Sequence, residues 1–202
     1  MMPNRTKVVK PKRFIALTGG VGSGKSRILE TLKENFPAAI LQTDLVAKDL
    51  EEPGQPGFEA LKKAFGEEIV DDTGRLRKEA MVRLVFGDYK TREKINVLIH
   101  PLVWEFVKQW CRRTEEPVAV VESALLPENP HDFFTEVWYV HTSRENRIQR
   151  LMDSRGYSIE RCIQMIEGQP SEEEYRRQAD CVIDNNGTEE EIYGQIRKIM
   201  ER

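Results

Sequence analysis

Phe14-Ile15-Ala16-Leu17-Thr18-Gly19-Gly20-Val21-Gly22-Ser23-Gly24-Lys25-Ser26 is the stretch on which the reading of this chain turns. Residues 14–17 form a continuous apolar run, the pattern of a strand buried on both faces. Residues 19–26 then satisfy G-x-x-x-x-G-K-[ST] in full, and a helix-forming stretch, 27–35, follows. Strand, glycine-rich turn and helix together are the context that a phosphate-binding loop requires. Glycines let the backbone curl into a concave nest whose amide hydrogens face phosphate oxygens, where a Cβ would crowd them. The helix adds its unsatisfied N-terminal amides and positive dipole end. Gly20, Val21, Gly22, Ser23, Gly24, Lys25 and Ser26 are therefore the expected phosphate contacts. Lys25 is expected to neutralise β- and γ-phosphates, and the Ser26 hydroxyl to coordinate the Mg²⁺ that bridges them. A glycine-rich turn with no ligand is the plainer alternative, and the agreement of strand, loop and helix argues against it.

Four further apolar runs, 39–41, 118–121, 137–140 and 181–183, are short and mostly rich in β-branched residues. They alternate with longer charged segments of helical periodicity, which predicts an α/β fold: a five-stranded parallel sheet flanked by helices. The gap between the second and third runs is the longest. It opens on the breaker cluster Glu52-Pro53-Gly54-Gln55-Pro56-Gly57, passes through a helix-like stretch, and turns at Asp71-Asp72-Thr73-Gly74. From Lys78 onward Met81, Leu84, Val85, Ile95, Leu98, Ile99, Val103, Phe106 and Trp110 recur at three- to four-residue intervals. Residues 54–113 thus read as a helical insertion. Residues 144–178 form a second charged helical segment holding seven arginines, at 144, 147, 150, 155, 161, 176 and 177. Such a segment suits a lid that closes over nucleotide and excludes water, although a charge run is more often a solvated face. The core is then expected at 13–53, 114–143 and 179–202, behind a basic tail at 1–12.

At 202 residues, with 39% hydrophobic and 32% charged, the chain has a globular balance. Its net charge of −3, with both signs interspersed, offers no broad attraction to nucleic acid or to an acidic membrane. No apolar run is long enough to span a bilayer, and the basic tail lacks the apolar core of a secretory signal. Cys111, Cys162 and Cys181 are scattered, odd in number and outside any metal-ligand spacing. A cytoplasmic protein, a monomer or weak homo-oligomer with a small-molecule substrate, is the expectation.

In open α/β sheets ligands bind beyond the carboxyl ends of the strands. Asp44, after the second run, is placed to orient or deprotonate an attacking hydroxyl; capping the next helix is its plainer role. Glu122, after the third run, suits a magnesium shell or an ion pair. His100, before Pro101, is either a substrate contact or a polar helix-start residue. Arg150 is the first choice among the lid arginines to reach phosphate. Asn186 and Gly187 lie in the loop Asp184-Asn185-Asn186-Gly187, near an adenine or in an ordinary turn. Trp104, Trp110 and Trp138 fall on apolar faces and read as core. A Ras-like GTPase would carry N-K-x-D, and no such string occurs.

The ordered set of segments resembles the dephospho-coenzyme A kinase family along residues 14–197. Residues 17–26 are similar to the family's LTGGIGSGKS. Asp44 takes the place of the second aspartate of its D-A-D segment, and Glu52-Pro53-Gly54 that of its EPG. Phe65-Gly66, Asp72-Thr73-Gly74-Arg75-Leu76, Val85-Phe86 and Ile99-His100-Pro101 resemble its FG, DG-x-L, VF and HP elements. Leu125-Leu126 with Glu128 matches LL-x-E, and residues 179–187 match ADxVIDNxG. The resemblance implies ATP with Mg²⁺ as donor and dephospho-coenzyme A as acceptor, phosphorylated at its ribose 3′-hydroxyl. It implies Asp44 as base, and Asp44, His100, Glu122 and Leu125 toward the acceptor. It also implies a P-loop NTPase core with a helical acceptor domain and a lid. The chain departs from the pattern at Gln42, Lys78, Ser154 and Met165. Another nucleoside- or nucleotide-type kinase using the same loop stays open, and Gln42, Ser154 and Met165 keep open a nucleotide-binding regulatory protein of reduced catalysis.

Overall fold

Parallel strands need long crossovers, and the chain supplies them with helices. The computed structural model describes residues 12–87 and 89–202, so residues 1–11 of the expected tail lie outside the described residues, as do the side chains of Val85 and Phe86. The strands are β1 (Arg13–Thr18), β2 (Ala38–Gln42), β3 (Val118–Glu122), β4 (Glu136–His141) and β5 (Cys181–Asp184). Each expected apolar run lies within one of them. They form one sheet in the order β2-β3-β1-β4-β5. β1 pairs in parallel with β3, Ala16 opposite Val121, and with β4, Leu17 opposite Trp138; β4 pairs in parallel with β5. The phosphate loop therefore leaves the central strand between the carboxyl ends of β3 and β4.

The chain forms two compact units, one comprising residues up to Ile40 together with Thr114–Arg202, the other Leu41–Arg113. In the first, α1 (Lys25–Asn35) and α9 (Glu189–Met200) present apolar stripes at helical spacing. Ile28 and Leu32 of α1 and Ile192 and Ile196 of α9 meet Ile15, Leu17, Val120, Trp138 and Ile183 of the sheet in one core cluster. Each such fully buried aliphatic side chain contributes about 1.5–3 kcal/mol. The arginine-rich segment is three helices, α6 (Arg144–Arg155), α7 (Ile159–Glu167) and α8 (Glu172–Gln178). Ser143, Ser158 and Ser171 cap them, each hydroxyl accepting from the amide three residues on.

The second unit holds α2 (Thr43–Leu50), α3 (Pro56–Phe65), α4 (Lys78–Gly87) and α5 (Tyr89–Arg113). The expected turn at 71–74 is built on Asp71, whose Oδ1 accepts from the amides of Thr73 and Arg75 and from the Thr73 hydroxyl. An isolated antiparallel bridge joins Val70 to Leu76 across it. The plainer alternative does not hold for either of two residues. His100 does not start a helix, because α5 runs through His100 and Pro101 without a break. Asp44 does not cap α2: Gln42 is the N-cap and Asp44 sits in the first turn, where its charge favours the helix dipole.

Candidate active site

The loop after β1 takes its shape from glycine. Gly22 and Gly24 have φ of 76° and 82°, the left-handed region that glycine occupies without cost. Gly24 is the N-cap of α1 and brings no side-chain cap, so the helix start offers its amides to a ligand. Within the loop the Ser23 amide donates to the Gly20 carbonyl at 3.1 Å. Lys25 Nζ donates to the Gly19 carbonyl at 2.8 Å and stands 3.4 Å from Glu122 Oε1. Lys25 and Glu122, both singled out from sequence, are thus brought together, Glu122 as the buried last residue of β3. Ser26 is exposed.

A shell of polar side chains holds this loop from outside. The Ser23 carbonyl receives Asn185 Nδ2 at 2.7 Å, Thr142 Oγ1 at 2.9 Å and Arg150 Nη1 at 3.4 Å. Arg150 also donates from Nη2 to the Asn185 carbonyl at 2.7 Å. At Val21 both backbone groups are held: the carbonyl accepts from Arg147 Nε, and the amide donates to Gln169 Oε1, each at 2.8 Å. Arg147 Nη2 closes the ring by donating to the same Gln169 oxygen at 2.9 Å. The Tyr139 and Tyr175 rings stack nearby, with centroids 5.1 Å apart. Burial pushes the Tyr175 phenol up to about 12, and burial also lowers Arg147 and Arg150 below the ordinary arginine range.

The remaining candidates are placed as follows. Asn186 Oδ1 accepts from the Ser143 amide and from Asn146 Nδ2, both at 2.9 Å, so it ties the loop after β5 to the start of α6. Gly187 adjoins the capping box of α9, where an added Cβ would meet Glu191 Oε2 at 2.2 Å. Leu125 is 48% exposed, and its carbonyl accepts from Ser123 Oγ. Asp44 and His100 belong to the second unit. Asp44 is exposed, and the His100 ring reaches the surface while partial desolvation lowers its pKa. Trp138 is wholly buried, as a core residue should be.

Asn185, Thr142, Arg147 and Gln169 were not legible as loop contacts. Asn185 lies inside the quoted 179–187 segment, but its pairing with a loop 162 positions away has no local sequence signal. Arg147 is one of seven similar arginines.

A lysine-bearing glycine loop joining the central strand of a parallel sheet to a helix defines a P-loop nucleotide-binding protein. The family model for dephospho-CoA kinase matches residues 13–191. A dephospho-CoA kinase of Geobacter sulfurreducens is 34% identical over 190 residues, 92% of this chain and 96% of that one. Among solved structures, TT1252 from Thermus thermophilus superposes with a TM-score of 0.79 at 30% identity, covering 95% of this chain and 97% of the other. The dephospho-CoA kinase of Campylobacter jejuni, at 19% identity, shares the fold, with a TM-score of 0.61 over 94% and 96% of the two chains. The chain belongs to the dephospho-CoA kinase family. Among the described residues no helix is long and apolar enough to cross a membrane.

Proposed function

We propose that this protein transfers the γ-phosphate of ATP, with Mg²⁺, to the ribose 3′-hydroxyl of dephospho-coenzyme A, the last step of coenzyme A biosynthesis, in the cytoplasm. The observation that carries the reading is the loop: two left-handed glycines, an uncapped helix start and Lys25 at one place. Such a cradle fits phosphates, since an uncapped helix start and a lysine ammonium are brought to one loop.

In this reading Gly20, Val21, Gly22, Ser23, Gly24, Lys25 and Ser26 hold the phosphates, and Lys25 stabilises the charge that develops on the transferred group. Ser26, with Glu122 beside Lys25 at the end of β3, would hold Mg²⁺, which neutralises phosphate charge when bound. Asp44, just beyond β2, orients or deprotonates the acceptor hydroxyl. Residues 54–113, with His100, bind the acceptor, and Leu125 borders it. Residues 144–178 form the lid, and Arg150 supplies positive charge at the loop. Asn186 and Gly187 lie beside the adenine.

ADP release in the presence of ATP, Mg²⁺ and dephospho-coenzyme A tests the proposal, with nucleosides and nucleoside monophosphates as competing acceptors. Turnover that requires dephospho-coenzyme A and fails in Lys25→Ala supports it. Preference for another acceptor, or ATP binding without turnover, rejects it.

A further inference from the structure

In a trans peptide the carbonyl of one residue and the amide hydrogen of the next point in opposite directions, because the six atoms are held in a plane. The described chain contains no cis peptide. Whatever holds the Val21 carbonyl therefore aims the Gly22 amide the other way, and whatever holds the Ser23 carbonyl does the same for Gly24. Arg147 Nε holds the first at 2.8 Å, and Asn185 Nδ2 holds the second at 2.7 Å. In this conformation the Val21 amide donates to Gln169 and the Ser23 amide to Gly20.

We propose that Arg147 and Asn185 are positioning residues for the nucleotide: by anchoring the carbonyls of Val21 and Ser23 they turn the Gly22 and Gly24 amides toward the bound phosphates. Both act through the loop backbone. A glycine backbone free to adopt many conformations needs such anchors, since the freedom that lets a nest form also lets it collapse. Thr142 and Arg150 also donate to the Ser23 carbonyl, at 2.9 and 3.4 Å, and Asn185 makes the shortest of the three bonds. Asn185 is wholly buried, and its Oδ1 has no hydrogen-bond partner among the described residues. A buried amide that leaves its oxygen unsatisfied so that its nitrogen can reach Ser23 is tolerated only where that donor is needed. Arg147 carries its charge on α6, so the same contact couples the arginine-rich helices to the loop.

The inference rests on reading the loop as a nucleotide site, and its test needs no acceptor. ADP is titrated into ¹⁵N-labelled protein, and the Gly22 and Gly24 amide resonances are followed with the dissociation constant. In the wild type both resonances are expected to move. Asn185→Asp keeps the shape and loses the donor; it is expected to suppress the Gly24 shift and leave that of Gly22. Arg147→Met should do the reverse, and Arg147→Lys should recover part of it. Each full loss is expected to weaken ADP by about tenfold, the effect of one charge-linked or buried hydrogen bond. Gly20→Ala, whose Cβ would meet Arg147 Nη2 at 2.2 Å, displaces that guanidinium from the other side and should copy Arg147→Met.

If Asn185→Asp does not fold, the half-buried Arg147 variants decide the matter alone. Wild-type amides that ignore ADP, or variants whose amides and affinity stay as in the wild type, overturn the inference. So does a lowered melting temperature with unchanged ADP affinity in the folded protein, which is the mark of a merely structural role. A wild type that binds ADP yet does not phosphorylate dephospho-coenzyme A rejects the proposed reaction and leaves the anchors to be judged on the amide shifts.

Discussion

Lys25 Nζ lies 3.4 Å from Glu122 Oε1, with the two side chains only 13% and 11% exposed. A carboxylate this close to the lysine proposed to bind phosphate opposes the approach of an anion unless a cation intervenes. Glu122→Gln is therefore expected to tighten ADP about fivefold when Mg²⁺ is removed by chelation, by relief of like charge. With Mg²⁺ present the same variant should turn over more slowly. Calorimetric titration with and without the metal checks this. Weaker ADP binding in both conditions would mean that Glu122 acts chiefly by holding Lys25 in place.

Asp44 sits in the first turn of α2, exposed, and is not the N-cap of that helix. Its removal should therefore cost the fold little. Asp44→Asn is expected to leave the melting temperature within a degree or two and ADP affinity unchanged, while turnover falls about 10²- to 10⁴-fold, the usual contribution of a positioned base. Steady-state rates beside ADP titrations measure the split. An unchanged turnover number would remove Asp44 from the chemistry.

The fold was legible because its signals are local. Five strands announce themselves as apolar runs, although only β1, β3 and β4 are largely buried, and the segment from Gly19 to Ser26 carries its chemistry in eight consecutive residues. The Lys25–Glu122 pair could be anticipated from the rule that ligands gather at strand ends. What could not be read are contacts closed by topology alone. Asn185 reaches Ser23 because β5 and β1 flank β4, an order that no residue spacing encodes. Arg147 reaches Val21 while neighbouring Arg144 pairs with Glu167, and the two differ only by less than one helical turn. His100-Pro101 misled in the opposite direction. Proline usually marks a helix boundary, yet α5 absorbs it within a helix of 25 residues.

Gly24 and Gly54 offer a controlled comparison. Both have φ near +80°, but a Cβ at Gly24 would meet Asn185 Nδ2 at 2.2 Å and Arg150 Nη1 at 3.1 Å, whereas Gly54 has nothing within 4 Å. Gly54→Ala should cost only the left-handed conformation, about 1 kcal/mol. Gly24→Ala adds displacement of a buried amide and should cost about 2–3 kcal/mol and abolish nucleotide binding. Denaturant unfolding of the two variants measures the difference. Equal losses would show that the shell around Ser23 yields freely.

Arg13 grips Glu136 at two points, Nε to Oε1 at 2.7 Å and Nη2 to Oε2 at 2.8 Å, and also donates to the carbonyls of Met200 and Ile199 at the end of α9. Glu136 additionally accepts from Trp138 Nε1 at 3.0 Å. Burial pushes this carboxyl up, but the bonds from Arg13 and Trp138 and the Arg13 charge outweigh it, and its pKa lies below the ordinary 4.5. A depressed carboxylate stabilises the fold above its unfolded pKa and loses that stabilisation as pH falls through the folded value. Arg13→Met should therefore destabilise the protein by about 2 kcal/mol at neutral pH, through the broken pair and the unshielded helix end. The gap to the wild type should narrow as pH is lowered below about 4.5, because protonated Glu136 no longer needs its partner. Thermal unfolding of both proteins from pH 7 to pH 3 is the measurement. A gap that stays constant across that range would assign the stability of Arg13 to capping α9 and not to Glu136.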